Sequence, residues 1–194
     1  MAANDLELWL IRHGETAWSL SGAHTSRTDI PLTDRGRERA RKIHDYLRGK
    51  TFSMVLTSPL LRARETCAIA GYGDVAQIDD DLCEWNYGIY EGRTTSDIQK
   101  EVPGWSVWTS PIIDGETIDQ VAERANRVIA HAAAKGGSVA LFAHGHILRI
   151  LAACWIQSPP VMGSRLALGT GTVSTLGFEH VTRVITLWNR DPAA

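Results

Sequence analysis

Three short segments of this 194-residue chain end in side chains able to hold and attack an anion. The apolar run at 6–11 stops at Arg12-His13-Gly14-Glu15, the run FSMVLTS (52–58) is followed closely by Arg62, and SVALFA (138–143) leads into His144-Gly145-His146. Two arginines and two histidines brought to one rim would make a strong anion site. A guanidinium fork matches phosphate oxygens in bidentate fashion, and helix N-termini at Ser58 and near His146 would add oriented N–H groups. One polar strand end means little, because polar residues close strands routinely; three that coincide are harder to dismiss. Metal ligation by His144 and His146 is the competing use, but no third Asp, Glu or His ligand is evident beside them, so no metal is expected.

The elements that must position these residues can be read from periodicity. Residues 6–11 are a strand, followed by a polar loop, SGAHTSRTDIPLT, that Pro31 helps close. Thr33 is a plausible N-cap for a helix over 34–48, with Ala40, Ile43 and Leu47 facing inward. Residues 52–58 give a second strand; Ser58 caps the next helix, Pro59 takes its first turn and Gly71 ends it. A short strand at 75–78 precedes an irregular, Trp-rich stretch, with residues 82–116 reading as a cap-like insertion. A helix over 117–134 turns Val121, Ala125, Val128 and Ile129 to one side, and residues 138–143 form a buried strand that feeds a helix at 146–155. TVSTLGFE and RVITLWN pair as an antiparallel hairpin about residues 180–182. Strands alternating with helices predict an α/β three-layer sandwich, a mostly parallel mixed sheet flanked by helices, in one domain spanning 1–194. In such sheets the site lies beyond the carboxyl ends of the strands.

Composition narrows the function. Hydrophobic content of 44% and charged content of 22% are ordinary globular values. The 20 basic and 22 acidic residues give a net charge of −2, so no global basic field recommends nucleic acid or an anionic membrane as partner. The three cysteines, Cys67, Cys83 and Cys154, are widely spaced, as in a reducing compartment. The acidic start MAANDLE lacks a signal peptide's pattern, and no apolar run approaches the roughly 20 residues of a membrane helix. A cytoplasmic protein is expected, and two copies could pair through an edge strand near 75–78 or the C-terminal hairpin.

LIRHGETAW, TSPLLRARETC, EWNYGIYEG and FAHGHILR together resemble the histidine phosphatase superfamily, the phosphoglycerate mutase-like proteins, over the whole chain and in the family's order. The resemblance implies that fold, no cofactor, and His13 as the nucleophile that becomes phosphorylated. It places Arg12, Arg62 and His144 around the phosphate and gives Glu84 the proton donor's place. Tyr87, Gly145 and the 19–28 loop, with Ser19, His24, Thr25 and Ser26, would contact the rest of a small phosphorylated metabolite.

The chemistry is consistent with the residues themselves. Phosphoryl transfer is mostly positioning and charge stabilisation, which arginines and a histidine can supply without a metal. A histidine nucleophile attacks as neutral imidazole, and neighbouring Arg12 and Arg62 lower its pKa by like-charge repulsion. Glu84 must be protonated to donate to the leaving oxygen, and a phosphate dianion beside it would raise its pKa, which predicts a mildly acidic to neutral optimum. Glu91, Asp114 and Glu116 are alternative carboxylates. His24 is as readily an exposed loop histidine as a substrate contact, Arg93 and Arg149 read as solvated, and Trp85, Trp105 and Trp108 are by default core.

Within the family, the run Trp85-Asn86-Tyr87-Gly88 lacks the Arg and His that cofactor-dependent mutases carry after the acid, and Lys100 is the only cation between residues 94 and 123. That is poor equipment for clamping a carboxylate. A phosphatase is therefore expected over a mutase, and the intact Arg12, His13, Arg62, Glu84 and His144 argue against a non-catalytic phosphate-binding module. The resemblance of EWNYGIYEG, DGET and FAHGHILR to broad acid phosphatases and sugar-bisphosphatases implies a sugar phosphate or small phosphomonoester as substrate.

Overall fold

Alternation along the first strand decides the layering. In β1 (Glu7–Arg12), Leu8 and Leu10 enter one apolar cluster while Trp9 and Ile11 enter another on the opposite face. A strand apolar on both faces has to be covered twice, and the rest of the chain supplies the covers.

The computed structural model describes residues 5–194; part of the acidic start read above, residues 1–4, lies outside the described residues. After β1 come α1 (Ala17–Ser21), α2 (Asp34–Leu47), β2 (Met54–Thr57), α3 (Leu61–Ile69), β3 (Gln77–Ile78), α4 (Thr95–Glu101), α5 (Ile118–Lys135), β4 (Ser138–Ala143), α6 (Gly145–Trp155), β5 (Val173–Glu179) and β6 (Thr182–Arg190). The six strands form one mixed sheet ordered β3-β2-β4-β1-β5-β6. β1, β2, β3 and β4 are parallel, while β5 and β6 pair antiparallel at the far edge. Helices α2 and α3 cover the Trp9–Ile11 face with Ile43, Leu47, Cys67 and Ala70; α5 and α6 cover the other with Val121, Val128, Ile147 and Leu151. This is the expected three-layer α/β sandwich.

Register brings the three reactive ends together. Arg12 is paired with Ala143, and Thr57 with Phe142, so β1, β2 and β4 finish on the same rim.

Three local expectations are corrected. The polar loop after β1 contains α1, a helix held by a capping box between Thr16 and Ser19 and not by an apolar stripe, since it buries no residue. The irregular stretch contains α4, started by the Thr94 side chain. Ser58 does not cap α3: Leu60 holds the N-cap position without a side-chain bond, and Asp29 accepts from the Leu61 N–H at 2.6 Å instead. The Trp-rich segment packs into the main core, where Trp85 and Trp105 are buried among residues of α5 and α6. At the other edge β3 is two residues long, with Val75 and Ile78 exposed beside it.

Candidate active site

His13 is 5% exposed at the end of β1. Its Nδ1 lies 2.7 Å from the Gly14 carbonyl oxygen, which can only accept, so Nδ1 carries the proton and Nε2 is left with its lone pair. Burial, then the charges of Arg12 and Arg62, push the His13 pKa down to about 3. The ring is therefore neutral at any ordinary pH, as the residues around it predict, although burial outweighs like-charge repulsion as the cause.

The turn that carries this ring is built on two glycines. A Cβ on Gly14 would stand 2.4 Å from the Gly36 carbonyl oxygen, and one on Gly36 would stand 2.1 Å from that of Glu15. The start of α2 thus presses backbone to backbone against the turn. Gly14→Ala is expected to cost about 1–3 kcal/mol of overpacking and to shift His13. A lowered urea midpoint at unchanged slope, with reduced kcat, would show both.

Arg12 reaches from β1 past Gly145, whose missing Cβ makes the room: an added carbon there would lie 3.3 Å from the guanidinium carbon. One Arg12 nitrogen donates to the Leu168 carbonyl, while its buried Nε has no partner. Together with His13 it lines a cavity of about 160 Å³ whose walls include Ser19, His24, Thr25, Glu84, Tyr87 and Gly145. Eight of the residues singled out in the sequence therefore converge on one small chamber.

Arg62 and His144, each fully buried, sit behind that wall and not on it. Arg62 donates from Nε to His144 Nδ1 at 3.1 Å and from its terminal nitrogens to the carbonyls of Thr25, Ser26 and Thr28. Glu91 binds the same loop from its N–H side, at Ser26 and Thr28. Because Arg62 only donates, His144 Nδ1 is bare and its Nε2–H is directed to the Ser58 hydroxyl at 2.7 Å. Burial and Arg62 hold the His144 pKa well below the usual imidazole value. His144 is thus a neutral partner of Arg62 here, not the cation expected from the sequence. Ser26 faces a neighbouring chamber of about 470 Å³, which shares Glu84 as a wall.

Glu84 arrives from the loop after β3 and settles on the N-terminus of α6. One carboxylate oxygen accepts from the N–H groups of Trp85 and Ile147, the other from that of His146, all at 3.0 Å. Burial alone would raise its pKa, but the His146 side chain and N–H outweigh it and hold Glu84 well below the usual carboxylate range. Both helix N-termini expected to receive phosphate are thus occupied by carboxylates of this chain, Asp29 on α3 and Glu84 on α6.

His24 is buried rather than exposed, its ring 4.8 Å from that of Tyr87 at a tilt of 46° and its Nε2 3.2 Å from the Thr95 hydroxyl. Tyr87 bonds His146 Nδ1 at 2.7 Å. His146, considered only as a metal ligand, also lines the cavity, as does Arg149, for which a secondary phosphate contact ranked below a solvated place in the sequence. Arg149 lies 4.5 Å from the Trp108 ring centre and donates to the Gly163 carbonyl. Helical spacing was the available signal, since Gly145 and Arg149 are four apart on α6 and share a face.

Comparison with known proteins agrees with this geometry. Residues 8–191 match the model of the histidine phosphatase superfamily (branch 1). An acid phosphatase of Mycobacterium tuberculosis is 39% identical over 187 residues, covering 94% of this chain and 92% of the relative. Sedoheptulose 1,7-bisphosphatase of Saccharomyces cerevisiae is 35% identical over 179 residues, covering 75% of this chain and 66% of its own. The solved structure of an open reading frame product of Mycobacterium tuberculosis superposes with a TM-score of 0.92 at 37% identity, covering 97% of this chain and 99% of that one. The chain belongs to the histidine phosphatase superfamily and is an enzyme of its phosphatase type. Among the described residues no helix is long and apolar enough to cross a membrane.

Proposed function

We propose that the chain is a metal-independent phosphomonoesterase that works through a phosphohistidine at His13 on small phosphorylated metabolites, sugar phosphates foremost. The observation that carries this reading is the bare Nε2 of His13, fixed by the Gly14 carbonyl in a chamber shared with Arg12 and Glu84.

In the first half-reaction Nε2 attacks phosphorus and the bond to the leaving oxygen breaks. Glu84 gives that oxygen a proton, and Arg12 draws off the charge that gathers on the equatorial oxygens. In the second, Glu84 takes a proton from water, whose oxygen attacks phosphorus as the P–N bond breaks. The products are an alcohol and inorganic phosphate, with one water consumed. Arg62 and His144 act as the buried pair that holds the Thr25–Thr28 loop against the site. Residues 82–116 serve as the cap that supplies Glu84 and Tyr87.

The named substrates of the phosphatase relatives support the sugar-phosphate class. The placement of the cations noted in the sequence supports hydrolysis over mutase chemistry: neither Arg93, paired with Glu101 at 2.6 Å, nor Lys100, paired with Asp97 at 2.7 Å, lines the chamber of His13. Three free thiols support a cytoplasmic setting. The test is a screen of sugar mono- and bisphosphates in EDTA, run beside 3-phosphoglycerate with a bisphosphoglycerate primer. Phosphate release from the sugar phosphates is expected; efficient formation of 2-phosphoglycerate with negligible free phosphate would overturn the phosphatase reading.

A further inference from the structure

Arg124, near the start of α5, spends three of its five N–H groups on the segment that carries Glu84 and the other two on Glu116. Nε and one terminal nitrogen grip the Glu116 carboxylate at 2.8 and 2.9 Å. The other terminal nitrogen donates to the carbonyls of Asp81 and Cys83 at 2.7 and 2.9 Å, and the remaining N–H reaches the carbonyl of Glu84 at 3.5 Å. Glu116 completes the clamp from the far side. Its carboxylate accepts from the Asn86 N–H at 2.8 Å, and its backbone carbonyl accepts from the Trp85 indole at 2.8 Å.

We infer that Arg124, with Glu116, is a positioning residue for phosphoryl transfer: it fixes the backbone of residues 81–86 and thereby aims the Glu84 carboxylate. The inference rests on the reading of Glu84 as the proton donor. Among the described residues the carbonyls of Cys83 and Glu84 have no strand neighbour, because residues 83–87 adopt no regular structure, and that of Asp81 stands in a single 3-10 turn, Asp80–Leu82. Their alignment depends on one planar fork, which an ammonium cannot reproduce. A backbone shift of about 1 Å at such a position is enough to cost on the order of 10²-fold in rate.

The leaving group separates this role from a general structural one. An alkoxide needs the proton from Glu84, whereas a nitrophenolate departs without it. Arg124→Ala should therefore lose about 10²-fold in kcat/KM on an alkyl phosphate and only a few-fold in kcat/KM on p-nitrophenyl phosphate, because kcat/KM reports phosphorylation and not the later attack of water that both substrates share. Arg124→Lys should recover only part of the loss. The chamber of about 470 Å³ lined by Arg124, Glu116, Cys83, Asn86 and Glu84 gives solvent access to the vacated place. Millimolar guanidinium should accordingly restore alkyl phosphate turnover in Arg124→Ala and leave the wild type unchanged. Should Arg124→Ala not fold, Glu116→Gln carries the same test, with a smaller loss of the same leaving-group dependence. Equal losses on both substrates, or none, in the folded variant would overturn the clamp. If Glu84→Gln shows no leaving-group dependence either, it is the proton-donor reading that fails.

Discussion

His13→Ala is expected to abolish turnover, by on the order of 10⁴–10⁶-fold in kcat, the scale on which removal of a covalent nucleophile acts. The loss should be the same for alkyl and aryl phosphates, since neither can form the phosphoenzyme. Wild-type protein quenched in alkaline denaturant during turnover, where the P–N bond survives, should carry a phosphoryl group on His13, and the variant none. Undiminished activity in the variant, or a phosphoryl group found elsewhere, would end the assignment. The same substitution has a signature in stability. His13 titrates near 3 in the folded state and near 6.5 when unfolded. Between those values the unfolded chain binds the extra proton, so folding stability falls as pH falls below about 6.5. This histidine contributes up to about 1.4 kcal/mol per pH unit to that slope. Urea midpoints of His13→Ala should accordingly vary less with pH between 6.5 and 4 than those of the wild type. On the acid side, activity should hold until pH approaches 4, below which protonation of Nε2 removes the nucleophile.

Glu84→Gln is expected to slow alkyl phosphate hydrolysis by about 10²–10⁴-fold, the usual worth of a placed general acid, and to spare phosphorylation by p-nitrophenyl phosphate. Its pH dependence follows from where the proton comes from. In the free protein Glu84 is ionised, held below the usual carboxylate range by its seat on α6. The proton must therefore enter with the substrate, as the phosphate monoanion or by uptake when the dianion comes to lie beside the carboxylate. The reactive complex holds one proton more than free enzyme plus dianion. For the wild type, kcat/KM on alkyl phosphates should therefore fall about tenfold per pH unit above the phosphate's second pKa, about 6. That limb should be lost in Glu84→Gln, where no group takes up the proton. A rate still rising above pH 9 in the wild type would remove Glu84 from the acid's role. The variant should also lose about 1–2 kcal/mol of stability, because one carboxylate oxygen that meets an N–H becomes an amide donor.

Much of this was legible in the residues. The layers of the sandwich follow from runs apolar on both faces of the central strands, and the helices read at 34–48, capped by Thr33, and at 117–134 follow from apolar stripes; they form at Asp34–Leu47 and Ile118–Lys135, where Thr117 is the cap and not the first helical residue. Short helices were not legible, because α1 and α4 are held by caps and turns and not by a periodic apolar face. The same limit hid the seats of the charged groups. A carboxylate is free to cap any helix end that the fold brings to it, and no local spacing announces a partner 63 residues away, as between Glu84 and Ile147, or 32 away, as between Asp29 and Leu61.

By itself the sequence determined that reactive side chains stand at the ends of three apolar strands, with the imidazole of His13 beside the guanidinium of Arg12. Residue type fixes those properties, and chain connectivity delivers them to strand ends. Only the tertiary structure decided the tautomer of His13, the neutrality of His144, the commitment of Arg62 to a loop, and the ionised state of Glu84. Each of these depends on burial and on hydrogen bonds that exist only after distant segments meet, since only then does a buried charge find its partners or a buried imidazole lose its proton.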